Sequence, residues 1–163
     1  MSDVMNILFL NFGIGGFAGD ASQFLLLVKG LMELGHKVVV VVPDGDAFYW
    51  DEAKSRSYAP IRKKLLEAKG EYVEIEGMTI LPIHCTSEKL GYYCPDATKI
   101  GKKILQEYDV VYCLNWYYHI AMSFSKIAHK LEVPFIIAAM AAFEKPAHHL
   151  KKSRKKILDL LYT

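Results

Sequence analysis

Four glycines within seven residues, Gly13, Gly15, Gly16 and Gly19, follow directly on the apolar run Met5–Asn11 and precede a helical pattern. Glycines at such a junction permit positive φ and remove side chains, so a ligand can approach the backbone closely. A helix beginning near Ala21 would present free N–H groups and a partial positive charge, a setting that suits phosphate. The stretch is not a P-loop, because no Gly-Lys-Ser/Thr follows and no lysine is placed to reach a γ-phosphate. Three readings stay open. The loop holds a sugar or a phosphate; or it holds a dinucleotide, with Gly13-x-Gly15-x-x-x-Gly19 as a loose fingerprint and Asp44 as the ribose carboxylate; or it only makes a tight turn. Asp44 lies far beyond Gly19 and comes after Pro43, which counts against the dinucleotide.

Asn115, Trp116 and His119 form a second constellation, at the end of the apolar run Val110–Leu114. Trp116 offers an aromatic platform of the sort sugars stack on, Asn115 can bond a hydroxyl, and His119 can act as a base. The plainer alternatives are that Asn115 caps a helix, Trp116 packs on a neighbouring loop, and His119 is an inert helix-surface histidine. His84, His148 and His149 lack metal-ligand spacing, so no metal is expected. Glu144 and Lys145 fall at the rim of the site or in a solvated loop. Cys85, Cys94 and Cys113 contain no Cys-x2-Cys pair, and their odd number suits a reducing compartment better than a disulfide framework.

Alternating strands and helices must position these residues. Met5–Asn11 reads as a buried strand. Asp20 is expected as an N-cap with Gln23 completing a capping box. Phe24, Leu27, Val28, Leu31 and Leu34 then follow at helical spacing until Gly35 stops the helix. Lys37–Val42 is a nearly pure valine strand. Pro60–Lys69 reads as a helix ended by Gly70, and Glu71–Glu76 with Met78–His84 as two strands about Gly77, a hairpin projecting from the main sheet. A helix is expected over Asp96–Glu107, a strand over Val110–Leu114, a helix over Trp116–Leu131 capped by Asn115, and a strand over Val133–Ala138. Continuous apolar strands alternating with helices imply an α/β fold with a Rossmann-like, doubly wound parallel sheet.

The chain has 163 residues, enough for one domain. Hydrophobic residues at 52% and charged residues at 23% exclude disorder. Lys+Arg at 20 against Asp+Glu at 18 argues against a nucleic-acid binder. The basic excess sits in the segment from Glu144 to Thr163, which holds six basic and two acidic residues. Lys151–Lys156, with Ile157, Leu160 and Leu161 on one face of a predicted helix, either lies against anionic lipid or is a solvated face. No signal peptide is visible, and the longest apolar runs are too short for the roughly 20 residues a membrane span needs. The expected location is cytoplasmic, with peripheral contact at the inner membrane face if the basic segment meets lipid. A chain finishing inside a basic helix with no closing strand is expected to be half of a larger protein.

The opening MNILFLNFGIGGFAGDASQFLLLVKGLMELGHKVVVVVP resembles that of family-4-type glycosyltransferases of the GT-B fold. In them a strand meets a Gly-Gly loop, and the helix ends in Leu-x-x-x-Gly-His before a valine-rich strand; the matching residues here are Leu31, Gly35, His36 and Val38–Val42. YDVVYCLNWYYHIAMSFSKIAHKLEVPFIIA is similar to the family's later strand, helix and Val-Pro strand. KKSRKKILDLL resembles the helix leading to the last strand of that domain.

The resemblance implies that residues 1–163 are the N-terminal, acceptor-side domain of such an enzyme, inactive alone. It places the acceptor, a lipid-linked sugar or glycan, on this domain. The nucleotide-sugar donor goes to a C-terminal domain, or a separate subunit, that this sequence does not contain. Gly15, Gly16 and Gly19 would bring backbone close to substrate, and Asn115, Trp116 and His119 would line the acceptor cleft. Neither metal nor cofactor is implied. Two family histidines align with Leu114 and Met140, which transfer no proton, so the catalytic base stays unassigned apart from His119. The alternatives are a stand-alone binding module, a subunit of a split transferase, and an NAD(P)-dependent oxidoreductase.

Overall fold

The computed structural model describes residues 3–11, 19–44, 52–86, 93–114 and 118–138, with only the backbone described over 19–23 and 52–59. Eleven regular elements alternate along these segments. Strand β1 spans Asn6–Leu10, helix α1 Gly19–Glu33, β2 Lys37–Pro43 and α2 Glu52–Glu67. Then come β3 over Val73–Ile75, β4 over Met78–Ile83 and α3 over Ala97–Ile104, the last running into a 3-10 turn at Leu105–Glu107. Strand β5 (Val110–Leu114), α4 (His119–Lys130) and β6 (Phe135–Ala138) complete the set.

The six strands form one sheet in the order β3-β4-β2-β1-β5-β6, parallel throughout except for the edge pair β3 and β4. Side chains alternate across it. Leu8, Leu10, Val41, Leu81, Ile83, Val111 and Cys113 face one core, which α3 and α4 cover with Ala97, Ile104, Ile120 and Phe124. Ile7, Phe9, Val38, Val40, Val42, Ile80 and Val110 face the other, covered by Phe24 and Val28 of α1 and Leu65 of α2. Burial on both sides is why β1 and β2 read as unbroken apolar runs. Helices on both faces of a mostly parallel sheet are compatible with a Rossmann-like fold.

Helix α1 ends as its sequence predicts. Gly35 has φ +90°, its N–H donates to the Met32 carbonyl at 2.9 Å, and the His36 N–H donates to the Leu31 carbonyl at 3.1 Å. These paired bonds are the Schellman arrangement, which needs a left-handed residue in the glycine position. The start differs: the helix begins at Gly19, so Asp20 lies in its first turn, where a carboxylate still favours the positive end of the dipole. The stripe is also narrower than the spacing suggests. Phe24 and Val28 are fully buried, whereas Leu27 and Leu34 are exposed. The ring of Phe9 lies 5.9 Å from that of Phe24, tying the helix to the central strand. Burying side chains of this kind is worth about 1.5–3 kcal/mol each.

Three further expectations need correction. Helix α2 starts at Glu52, and Pro60, read as its beginning, lies inside it. Proline suits a first turn but is tolerated further in at the loss of one backbone bond. The hairpin about Gly77 does not project. Glu76 (φ 50°) and Gly77 (φ 78°) make its two-residue turn, but β4 then pairs in parallel with β2 inside the main sheet. Met78, Ile80, Leu81 and Ile83 are all buried, and only cover on both faces accommodates them. Helix α4 begins at His119 with Tyr118 in the N-cap position, so Asn115 is not its cap. Tyr118 is extended (φ −141°, ψ 154°) and buried, with its hydroxyl 3.9 Å from Cys113 Sγ, and α4 begins at the next residue.

Candidate functional site

Open parallel sheets bind ligands beyond the carboxyl ends of their strands, where the strand order reverses. Here that point lies between β1, whose other neighbour is β2, and β5. Their registers put Leu10 beside Cys113, so the carboxyl ends of the two strands lie side by side. Asn11 closes β1. It is 2% exposed, and its N–H donates to the Val41 carbonyl at 3.0 Å. Gly19 opens α1 on the far side of the glycine loop. Gly15, Gly16, Asn115 and Trp116 lie outside the described residues, as do Met140, Glu144, Lys145, His148, His149 and Lys151–Lys156.

His119 stands at the first residue of α4, half-buried. Its Nδ1 accepts the Cys94 N–H at 3.3 Å, its Nε2 lies 3.5 Å from Ser123 Oγ, and its ring is 4.6 Å from that of Tyr93. The neutral ring with its proton on Nε2 fits this geometry. Burial lowers the imidazole's proton affinity below its ordinary value. His119 therefore bridges the segment before α3 to α4. To take a substrate proton it would have to give up the Cys94 or the Ser123 contact.

Asp44, at the head of β2, reaches across to the head of β4. One oxygen lies 2.7 Å from His84 Nδ1, and the other accepts the Cys85 N–H at 3.0 Å. The Asp44 N–H donates to the Ile83 carbonyl at 2.9 Å, so the two strand ends are laced together. A carboxylate engaged at both oxygens is poorly placed to take ribose hydroxyls. Cys85, Cys94 and Cys113 are all free, buried thiols. Hydrogen bonding with Cys85 and burial push the Cys94 thiol far up, and burial pushes Cys113 up to about 12. Neutral, buried thiols of this kind are packing groups rather than nucleophiles. Leu114 is 4% exposed in the apolar core. No cluster among the described residues could hold a metal ion.

Sequence reasoning passed over Asn11, Tyr93 and the pairing of Asp44 with His84. A polar residue directly after the apolar run Ile7–Leu10 was the available signal for Asn11. The other two rest on contacts between residues 26 (Tyr93 to His119) and 40 positions apart, which no local pattern displays. Neither the protein-family models nor the curated protein sequences contain a match to this chain.

Proposed function

We propose that the chain is the N-terminal, acceptor-side domain of a GT-B glycosyltransferase, moving a sugar from a nucleotide-sugar to a lipid-linked sugar or glycan. The observation that carries this reading is the switch point. The glycine loop after β1 and the Asn115–His119 segment after β5 leave adjacent strands at the end of the sheet where such folds bind ligands. The acceptor lies over this edge, and a second domain or a separate subunit brings the donor to it. The acceptor hydroxyl attacks the anomeric carbon as the nucleoside diphosphate leaves, and helix N-termini and basic side chains stabilise the developing negative charge without a metal. Gly15, Gly16 and Gly19 supply backbone close to substrate, and Asn115 and Trp116 bind sugar hydroxyls and a ring face. The engaged nitrogens of His119 favour a positioning role over that of base.

The cytoplasmic location, with Lys151–Lys156 against anionic lipid, belongs to the same proposal; among the described residues no helix is long and apolar enough to cross a membrane. The nicotinamide reading is disfavoured by the engagement of both Asp44 oxygens.

The test is a transfer assay on the complete polypeptide that the gene encodes, with a panel of labelled nucleotide-sugars. Transfer is expected, as is its loss in the Gly15→Val, Gly16→Val double variant with an unchanged Tm. No transfer from any donor, or near-normal turnover in the double variant, would overturn the reading.

A further inference from the structure

A cavity of about 740 Å³ opens beside the carboxyl ends of β2 and β4, away from the β1–β5 switch point. Its walls come from three separate elements. Helix α3 contributes Lys99 and Lys103, one turn apart and therefore on one face. The chain leaving α2 contributes Lys69, held at a left-handed φ of 48° that lysine rarely adopts. The third wall is His84, its side chain 60% exposed, with Asp44 behind it.

None of the three lysines takes part in an ion pair among the described residues, although acidic groups are close by. Asp44 is engaged by His84 and the Cys85 N–H, and Glu67 lies 3.8 Å from Lys63. Among the described residues of the lining, Asp96 is the one further carboxylate, so these residues carry an excess of positive charge. Like charges brought together in this way repel one another and raise the affinity for an anion. The volume matches that of small-molecule sites, and Leu66 and Ile100 give it an apolar wall.

We propose that this cavity binds a small phosphorylated molecule, its phosphate held by Lys69, Lys99 and Lys103 and its body lying against Leu66, Ile100 and the imidazole of His84. Three ammonium groups from two directions suit a phosphate, which offers oxygens on every side. The Asp44 contact at 2.7 Å fixes the ring of His84 on the wall, so a polar group of the ligand meets an imidazole in a set orientation. The site is independent of the transferase reading, since it uses no residue of the switch point.

The test is an NMR titration of the full 163-residue chain with inorganic pyrophosphate at low ionic strength. Saturable binding is expected, with amide shifts confined to Lys69, Gly70, His84 and residues 96–103. Lys99→Glu with Lys103→Glu is expected to weaken it by roughly 100-fold, and Lys69→Ala by about tenfold. Lys29→Glu, on α1 and outside the described lining of the cavity, should leave it unchanged. All four side chains are exposed, and circular dichroism establishes that each variant is folded. Absence of binding, retention of wild-type affinity in either cavity variant, or an equal loss in Lys29→Glu would overturn the proposal.

Discussion

Asp44 Oδ2 lies 2.7 Å from His84 Nδ1, joining the ends of two parallel strands whose residues are 40 positions apart in the chain. The other oxygen holds the Cys85 N–H, and the carboxylate side chain is only 14% exposed. The pair is thus a half-buried clamp with one solvent-facing arm.

Removing the clamp should cost more than removing the arm. Asp44→Ala leaves a part-buried N–H without its acceptor and is expected to destabilise the fold by about 1–3 kcal/mol. His84→Ala deletes an exposed partner and is expected to cost under about 1 kcal/mol. Urea denaturation of the two variants checks the order; equal losses would assign the stabilisation to the imidazole contact alone.

The lowered proton affinity of His119 makes stability depend on pH in one direction. Its folded-state pKa lies below the ordinary 6.5, so in the window between them the unfolded chain binds more protons than the folded one. The contribution is fully present above pH 6.5 and is lost as the pH falls through the folded value. His119→Gln should therefore lose less stability than wild type between about pH 7.5 and about pH 5.5. Parallel stability curves for the two proteins would contradict this.

Helices α3 and α4 approach closely at Gly101. A Cβ there would lie 2.7 Å from Ile127 Cδ1 and 3.4 Å from the Phe124 ring. Gly101→Val is expected to cost about 1–3 kcal/mol through overpacking. Ile127→Ala, costly by itself at about 2–5 kcal/mol, should cost less in the Gly101→Val background because the new side chain fills part of the space. A double-mutant cycle reads the difference; strict additivity would mean that the helices simply move apart.

The sequence displayed best what depends on neighbours along the chain. Strands β1, β2 and β5 are continuous apolar runs because both their faces are covered, and Gly35 and Gly77 mark turns that need positive φ. What it concealed depends on partners far away. The alternation of β3 looks like that of a free hairpin, yet β4 is an interior strand because β2 lies beside it. Pro60 carries a helix-starting signal that the preceding turns override. Helix α4 starts after the buried Tyr118, not after Asn115 with its capping preference. The lysine cavity is assembled from α2, α3 and the ends of two strands, so no window of sequence contains it.

The central position of β1 also governs the order in which the molecule can be built. One edge of this strand is filled by β2, soon after it in the chain, but the other waits for β5. The bond from the Asn6 N–H to Asp109 Oδ2, at 2.7 Å, closes a separation of 103 residues. During synthesis the first strand therefore stands with one edge bare while most of the chain is still being made. Such long-range closure slows folding and exposes an apolar strand edge to other chains. A newly made chain is consequently most prone to aggregate before β5 has left the ribosome, and the βαβ unit ending at Pro43 is the part that most needs shelter until then.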